Sequence, residues 1–175
     1  MKLTEFPLPL LGFAAFSGSG KTTLLERLIP LLKAADLKTA LIKHSHHDFE
    51  MDKPGKDSDR LRKAGAGQVL LASKYRTAWI REGDGETEPD LARLLMHLDT
   101  TDLDLVVVEG FRDEPVPKIE IHRPSLGKPL LCEKDSQVIA LAVDEPPIKE
   151  VAVPLLPLNQ PQEIADFIID WLNSG

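Results

Sequence analysis

A chain of 175 residues is the size of one domain and long enough to bury a core without disulfides or a structural metal. With 42% hydrophobic and 28% charged residues, it is neither a disordered nor a fibrous chain. Its 21 basic against 28 acidic residues leave a net charge of −7 with no long Lys/Arg run, which disfavours a general nucleic-acid binder or a binder of anionic membranes.

The single Cys132 forms no intrachain bridge, which fits a reducing cytoplasm. The longest apolar stretch, Phe6 to Phe16, is shorter than the roughly 20 residues of a membrane span and contains Pro7 and Pro9. Lys2 followed by that stretch loosely imitates a secretory signal, but cleavage near Ala14–Ala15 would remove the strand that leads into the main motif.

In chain order, Leu8–Phe16 reads as a buried first strand, followed by a Gly-rich turn at Ser17–Gly20. A helix over Thr22–Asp36 places Leu24, Leu25, Leu28, Leu31 and Leu32 at helical spacing, with a kink expected at Pro30. Thr39–Lys43 is a second strand, 44–56 a long polar loop, and Asp57–Ala64 a short helix ended by Gly65 and Gly67. Gln68–Ser73 and Thr77–Arg81 are strands, with a turn at Gly83–Gly85, and Pro89–Leu98 is helical. Leu103–Val108 is a continuous apolar run of the kind buried on both faces of a parallel sheet, and Asp104 within it is read as structural. Lys118–His122 alternates, as a half-exposed strand does, and Val138–Val143 is again fully apolar. Asn159–Gln160–Pro161 opens a last helix with Ile164, Phe167, Ile168 and Trp171 on one face. The alternation implies a single α/β domain over residues 1–175, with a mainly parallel sheet flanked by helices and some antiparallel strands.

Ser17–Gly18–Ser19–Gly20–Lys21–Thr22–Thr23 lies between the first strand and the first helix, the context of a P-loop. Glycines let the backbone curl so that N–H groups face phosphate oxygens, and the helix N-terminus adds positive potential. Lys21 is placed for the β- and γ-phosphates and the Thr22 hydroxyl for Mg²⁺. The motif G-x-x-x-x-G-K-[ST] departs at its first glycine, where this chain has Ala15.

Glu109, ending the apolar run ahead of Gly110, is the second acid expected near Mg²⁺. In the loop after the second strand, Asp48 is a candidate to orient attacking water or to join the Mg²⁺ shell. His44, His46 and His47 are either transition-metal ligands or hydrogen-bonding residues of a strand end, and no nearby Cys supports the metal reading. Asp57 and Arg60, at i and i+3, are either a surface ion pair or a contact to nucleotide or a second subunit.

With SGSGKTTL, LIKHSHHDFEMDKPGKDSDRLRKAGA, LDLVVVEGF and PKIEIHR in order, the chain resembles the MobB family of molybdopterin-guanine dinucleotide biosynthesis adapter proteins from about Leu10 to the final helix. The resemblance implies a P-loop NTPase fold related to the metallochaperone GTPases, GTP binding with weak GTPase activity, a homodimer and cytoplasmic residence. It also implies partnership with the guanylyltransferase that attaches GMP to molybdopterin and with other proteins of molybdenum-cofactor assembly. Gly18, Gly20, Lys21 and Thr22 match its phosphate loop, Asp48 its acidic loop position and Glu109 its second acid.

No N-K-x-D tetrapeptide occurs; Asp144 and Asn159 stand where base contacts come from, and Asp144 is equally explained as a turn former. No Arg flanks the P-loop in sequence as a built-in arginine finger, which accords with slow hydrolysis. The alternatives are a P-loop small-molecule kinase, for which no Arg-rich lid segment is visible, and a metal-delivering GTPase using the histidines.

Overall fold

The computed structural model describes residues 1–45, 48–51, 53–147 and 149–174. The chain divides into two compact units, one of residues 1–44 and 90–175 and one of residues 45–89.

The larger unit is a six-stranded, wholly parallel sheet of β1 (Leu10–Ala15), β2 (Thr39–Lys43), β5 (Leu105–Glu109), β6 (Lys118–His122), β7 (Val138–Val143) and β8 (Leu155–Pro157), in the spatial order β2-β5-β1-β6-β7-β8. One face is covered by α1 (Lys21–Ala34) and α4 (Pro161–Asn173), whose Leu24, Leu25, Leu28, Leu32, Ile164 and Ile168 pack on Leu11, Phe13, Leu105, Val107, Ile119 and Ile121. On the other face, Leu10, Val106 and Val108 meet Leu91 and Leu95 of the short helix α3 (Leu91–Leu95) and the partly buried Leu3, Phe6 and Leu8 of the N-terminal segment. All five residues of β5 are buried, as its unbroken apolar run implies.

The smaller unit holds α2 (Asp57–Lys63) and an antiparallel hairpin of β3 (Gln68–Ala72) and β4 (Thr77–Arg81). Asp59 is its buried acid: it accepts from the Gly55 N–H at 2.8 Å and pairs with Arg62 and Lys63, whereas Asp57 and Arg60 are exposed.

Several expectations are corrected. Lys118–His122 is buried at every position instead of half exposed. It is an interior strand, and loops over one face give its polar side chains partners: Lys118 Nζ donates to the Glu114 carbonyl at 2.7 Å and Asp135 at 3.0 Å, and Glu120 accepts from the Leu131 and Cys132 N–H groups, each at 2.8 Å. The helix expected over Pro89–Leu98 is only one turn and a half, capped by the Asp90 carboxylate on the Arg93 N–H. Asp104 lies just before β5, where it accepts from the Lys38 N–H at 2.8 Å, and Glu109 is the last residue of the strand. β8, three residues bounded by prolines on the sheet edge, is an additional strand. Helix α1 spans Lys21–Ala34, ending before the expected Asp36, with Pro30 inside it on the exposed side.

Candidate functional site

In an open parallel sheet, ligands bind beyond the carboxyl ends of the strands, where the connections diverge. Four such ends meet in the larger unit: Ala15 of β1, Lys43 of β2, Glu109 of β5 and His122 of β6.

The Ser17–Gly20 turn leaves β1 and enters α1 with Gly18 at φ +83° and Gly20 at φ +89°, left-handed values that a side chain would strain. Ala15, by contrast, is an ordinary strand residue in register with Ile121, so the missing first glycine of the motif strains nothing here. Gly20 is the N-cap of α1 and supplies no side-chain acceptor, leaving the first-turn N–H groups of the helix without a side-chain cap. Ser19 is 2% exposed, and its hydroxyl is shielded from solvent with no hydrogen-bond partner among the described residues. Uncapped N–H groups and an orphaned hydroxyl fit an anion with several oxygens.

Below the loop, the buried Glu109 carboxylate sits 3.4 Å from Lys21 Nζ and 3.5 Å from Lys43 Nζ. One carboxylate shared by two ammonium groups leaves surplus positive charge beside the helix N-terminus, in a chain whose overall charge is −7. Gly110 follows at φ +89°, and a Cβ there would stand 2.7 Å from the His44 carbonyl oxygen; the His44 N–H donates to the Glu109 carbonyl at 2.8 Å. This close approach of the β2 and β5 ends requires glycine.

Arg123, immediately after β6, is a site residue not foreseen in the sequence. Its Nε donates to the Ser19 carbonyl at 2.9 Å, and Nη1 is ion-paired with Asp144 Oδ2. The fold thus brings an arginine to the loop across 104 residues of sequence, although no arginine flanks the loop locally. Its only sequence signal is its position at the end of a strand that the pattern already placed.

Ser17, Gly18, Ser19, Gly20, Lys21, Thr22 and Thr23 therefore form one loop and helix start, with Thr22 and Thr23 exposed; Glu109 lies under it, and Asp144 is linked to it through Arg123. Asn159 is exposed just after β8. Asp48 belongs to the smaller unit, where it lines a cavity of about 190 Å³ with Phe49, Met51, Arg62 and Ile80. His46 and His47 lie outside the described residues, and among the described residues no group of three or more His, Cys, Asp or Glu is gathered to hold a metal. No described helix is long and apolar enough to cross a membrane.

A parallel sheet with a glycine-rich turn from its first strand into an uncapped helix, and a lysine paired to the acid of an adjacent strand, defines a P-loop nucleotide-binding protein. The family model described as MobB, molybdopterin guanine dinucleotide synthesis protein B, matches residues 10–144. The chain belongs to the MobB family. It is 49% identical over 166 residues to the molybdopterin-guanine dinucleotide biosynthesis adapter protein of Escherichia coli (strain K12), covering 94% of each chain. To the adapter protein of Haemophilus influenzae it is 48% identical, over 95% of this chain and 90% of that one. Among solved structures, a molybdopterin-guanine biosynthesis protein B superposes with TM-score 0.72 at 29% identity, over 94% of this chain and 99% of that one. A MobB homologue from Bacillus stearothermophilus, at TM-score 0.71 and 19% identity over 95% and 99%, shares the fold.

Proposed function

We propose that this protein is a GTP-binding adapter of molybdopterin guanine dinucleotide biosynthesis that assists the guanylyltransferase step and hydrolyses GTP slowly. The observation that carries the nucleotide part is the uncapped α1 N-terminus beside the orphaned Ser19 hydroxyl and the Lys21–Glu109–Lys43 charge cluster. N–H groups of the loop and helix start between Ser17 and Thr23, with the Lys21 ammonium, would hold the triphosphate, and the Thr22 hydroxyl and Glu109 would hold Mg²⁺, which would supply positive charge against the phosphates. Asp144, at the end of β7, is the acceptor for the guanine N–H groups. The adapter role and partnership with other proteins of this biosynthesis are supported by near full-length similarity to the adapter proteins of two bacteria; the guanylyltransferase as the partner, the homodimer and the cytoplasmic setting are what the family resemblance implies.

The role of Asp48 towards water or Mg²⁺ rests on the match of the KHSHHDF segment to the family. On that reading, Asp48→Asn slows GTP turnover, with GTP binding retained if Asp48 orients water and its Mg²⁺ dependence weakened if Asp48 joins the Mg²⁺ shell, and unchanged turnover refutes both roles.

The decisive experiment is calorimetric titration with GTP, ATP and GDP, with and without Mg²⁺. Wild type is expected to bind GTP more tightly than ATP in a Mg²⁺-dependent way, and Lys21→Ala to lose about a hundredfold or more in affinity while keeping its circular dichroism spectrum. Unchanged GTP affinity in Lys21→Ala overturns the site; a preference for ATP moves the assignment to a kinase. Sedimentation equilibrium tests the dimer, with a mass of two chains expected.

A further inference from the structure

The phosphate loop and the end of β7 are joined by one guanidinium. Arg123 donates Nε to the Ser19 carbonyl at 2.9 Å and holds Asp144 Oδ2 through Nη1; its Nη2 is 3.4 Å from where a Cβ on Gly20 would stand. Two consequences follow from elementary geometry. The Ser19 carbonyl and the Gly20 N–H belong to one planar trans peptide and point in opposite directions, so anchoring the carbonyl on Arg123 aims the Gly20 N–H away from it. The guanidinium is planar, so its Nε and Nη1 donors keep a fixed mutual angle, and the carboxylate and the loop carbonyl cannot reorient independently.

The Asp144 carboxylate is half engaged. Oδ2 is paired to Arg123, whereas Oδ1 is shielded from solvent and has no hydrogen-bond partner among the described residues. A buried acceptor left without a donor is unfavourable, and a ligand N–H would relieve it. The Ser19 hydroxyl, one residue from the anchored peptide, is orphaned in the same way. Both vacant polar atoms thus belong to residues that Arg123 grips.

We propose that Arg123 is a positioning residue that couples the base end of the nucleotide site to its phosphate loop, fixing which Asp144 oxygen is presented to the base while holding the Ser19–Gly20 peptide in its phosphate-facing orientation. The inference rests on the reading of Asp144 as base acceptor and of the loop as phosphate site. Lysine cannot replace arginine here, because one ammonium nitrogen does not span both acceptors with fixed geometry.

The test is calorimetric titration of the full chain with GTP, ATP and inorganic tripolyphosphate, for wild type, Arg123→Lys, Arg123→Gln, Asp144→Asn and the double variant Arg123→Gln/Asp144→Asn, each checked by circular dichroism. Arg123→Gln is expected to lower the GTP-over-ATP preference about tenfold or more and to weaken tripolyphosphate binding as well. Arg123→Lys keeps the charge, and is expected to recover most of the tripolyphosphate affinity but not the base preference. Asp144→Asn loses the preference alone, and the double variant loses no more preference than either single one, the mark of coupled residues.

Equal loss for all three ligands with an unchanged GTP-to-ATP ratio reduces Arg123 to a staple of the loop and overturns the coupling. So does a lowered melting temperature with unaltered binding, or strictly additive losses of preference in the double variant. Wild type that binds GTP and ATP equally overturns the base reading of Asp144 and the coupling with it, while leaving the phosphate site standing. Wild type that binds none of the three overturns the phosphate site itself.

Discussion

At the residue scale, chemistry here is set by which partner each charged or polar atom finds. Glu109 is stable in its buried position because Lys21 and Lys43 both approach it, and that sharing holds Lys21 beside the loop. Cys132 shows the opposite case: burial, then the nearby Glu120 carboxylate, push its thiol up to about 11. At neutral pH the thiolate is scarce, so Cys132 is expected to react with iodoacetamide far more slowly than free cysteine; a rate matching that of glutathione under the same conditions would refute this. Gly110 is constrained by space and by backbone together. Gly110→Ala must relieve a 2.7 Å approach to the His44 carbonyl at φ +89°, and is expected to destabilise the protein by about 1–3 kcal/mol in urea unfolding. A midpoint equal to that of wild type would show that the β2–β5 approach adapts freely.

At the element scale, β6 is the unusual strand. Ile119 and Ile121 join the α1–α4 core, while Lys118, Glu120 and His122 are buried with them in a strand that reads as amphipathic. In place of a helix, loops cover part of the sheet here, and their backbone groups are met by the side chains of β6 itself, with Glu120 accepting from two consecutive N–H groups. Glu120→Ala strands both donors, and a loss of about 2–5 kcal/mol is expected. Faster alkylation of Cys132 in the same variant would locate the effect in this loop, and unaltered stability would refute the role of Glu120. Helix α1 shows a milder adjustment: Pro30 removes one N–H but lies on the exposed side, so the buried leucine stripe survives it.

At the scale of the whole molecule, both units carry acids held below their ordinary range. Asp59 is lowered by the Gly55 N–H and then by Lys63; Asp84 is lowered to about 2 by the Thr87 and Glu86 N–H groups. In the larger unit, burial of Asp135 opposes ionisation, yet the Gln137 N–H and the Lys118 ammonium prevail and lower it too. A carboxylate whose pKa is depressed on folding contributes stability that is complete above its unfolded value, 3.8 here, and is lost as pH falls through the folded value. Stability is therefore expected to hold to about pH 4 and to fall between pH 4 and 2. Urea midpoints measured across that interval check it, and a midpoint independent of pH would show that these carboxylates are no better held in the fold than in the unfolded chain.

What the sequence by itself determined is local and periodic. The apolar runs Leu8–Phe16 and Leu103–Val108 read as buried strands, the leucine spacing of α1 and the face of α4 follow from 3.6-residue periodicity, and SGSGKTT between strand and helix reads as a P-loop that includes Lys21. Glu109 was legible for the same reason, as an acid closing an apolar run. What only the tertiary structure decided depends on contacts between distant segments. Lys43 beside Glu109, the Arg123 bridge from Ser19 to Asp144, and the burial of Lys118, Glu120 and His122 arise because β6 and β5 flank β1 and their ends converge. A polar residue in a strand reads as solvent-facing until the loop that supplies its partners is seen, and an arginine far along the chain reads as a surface charge until strand order carries it to the loop.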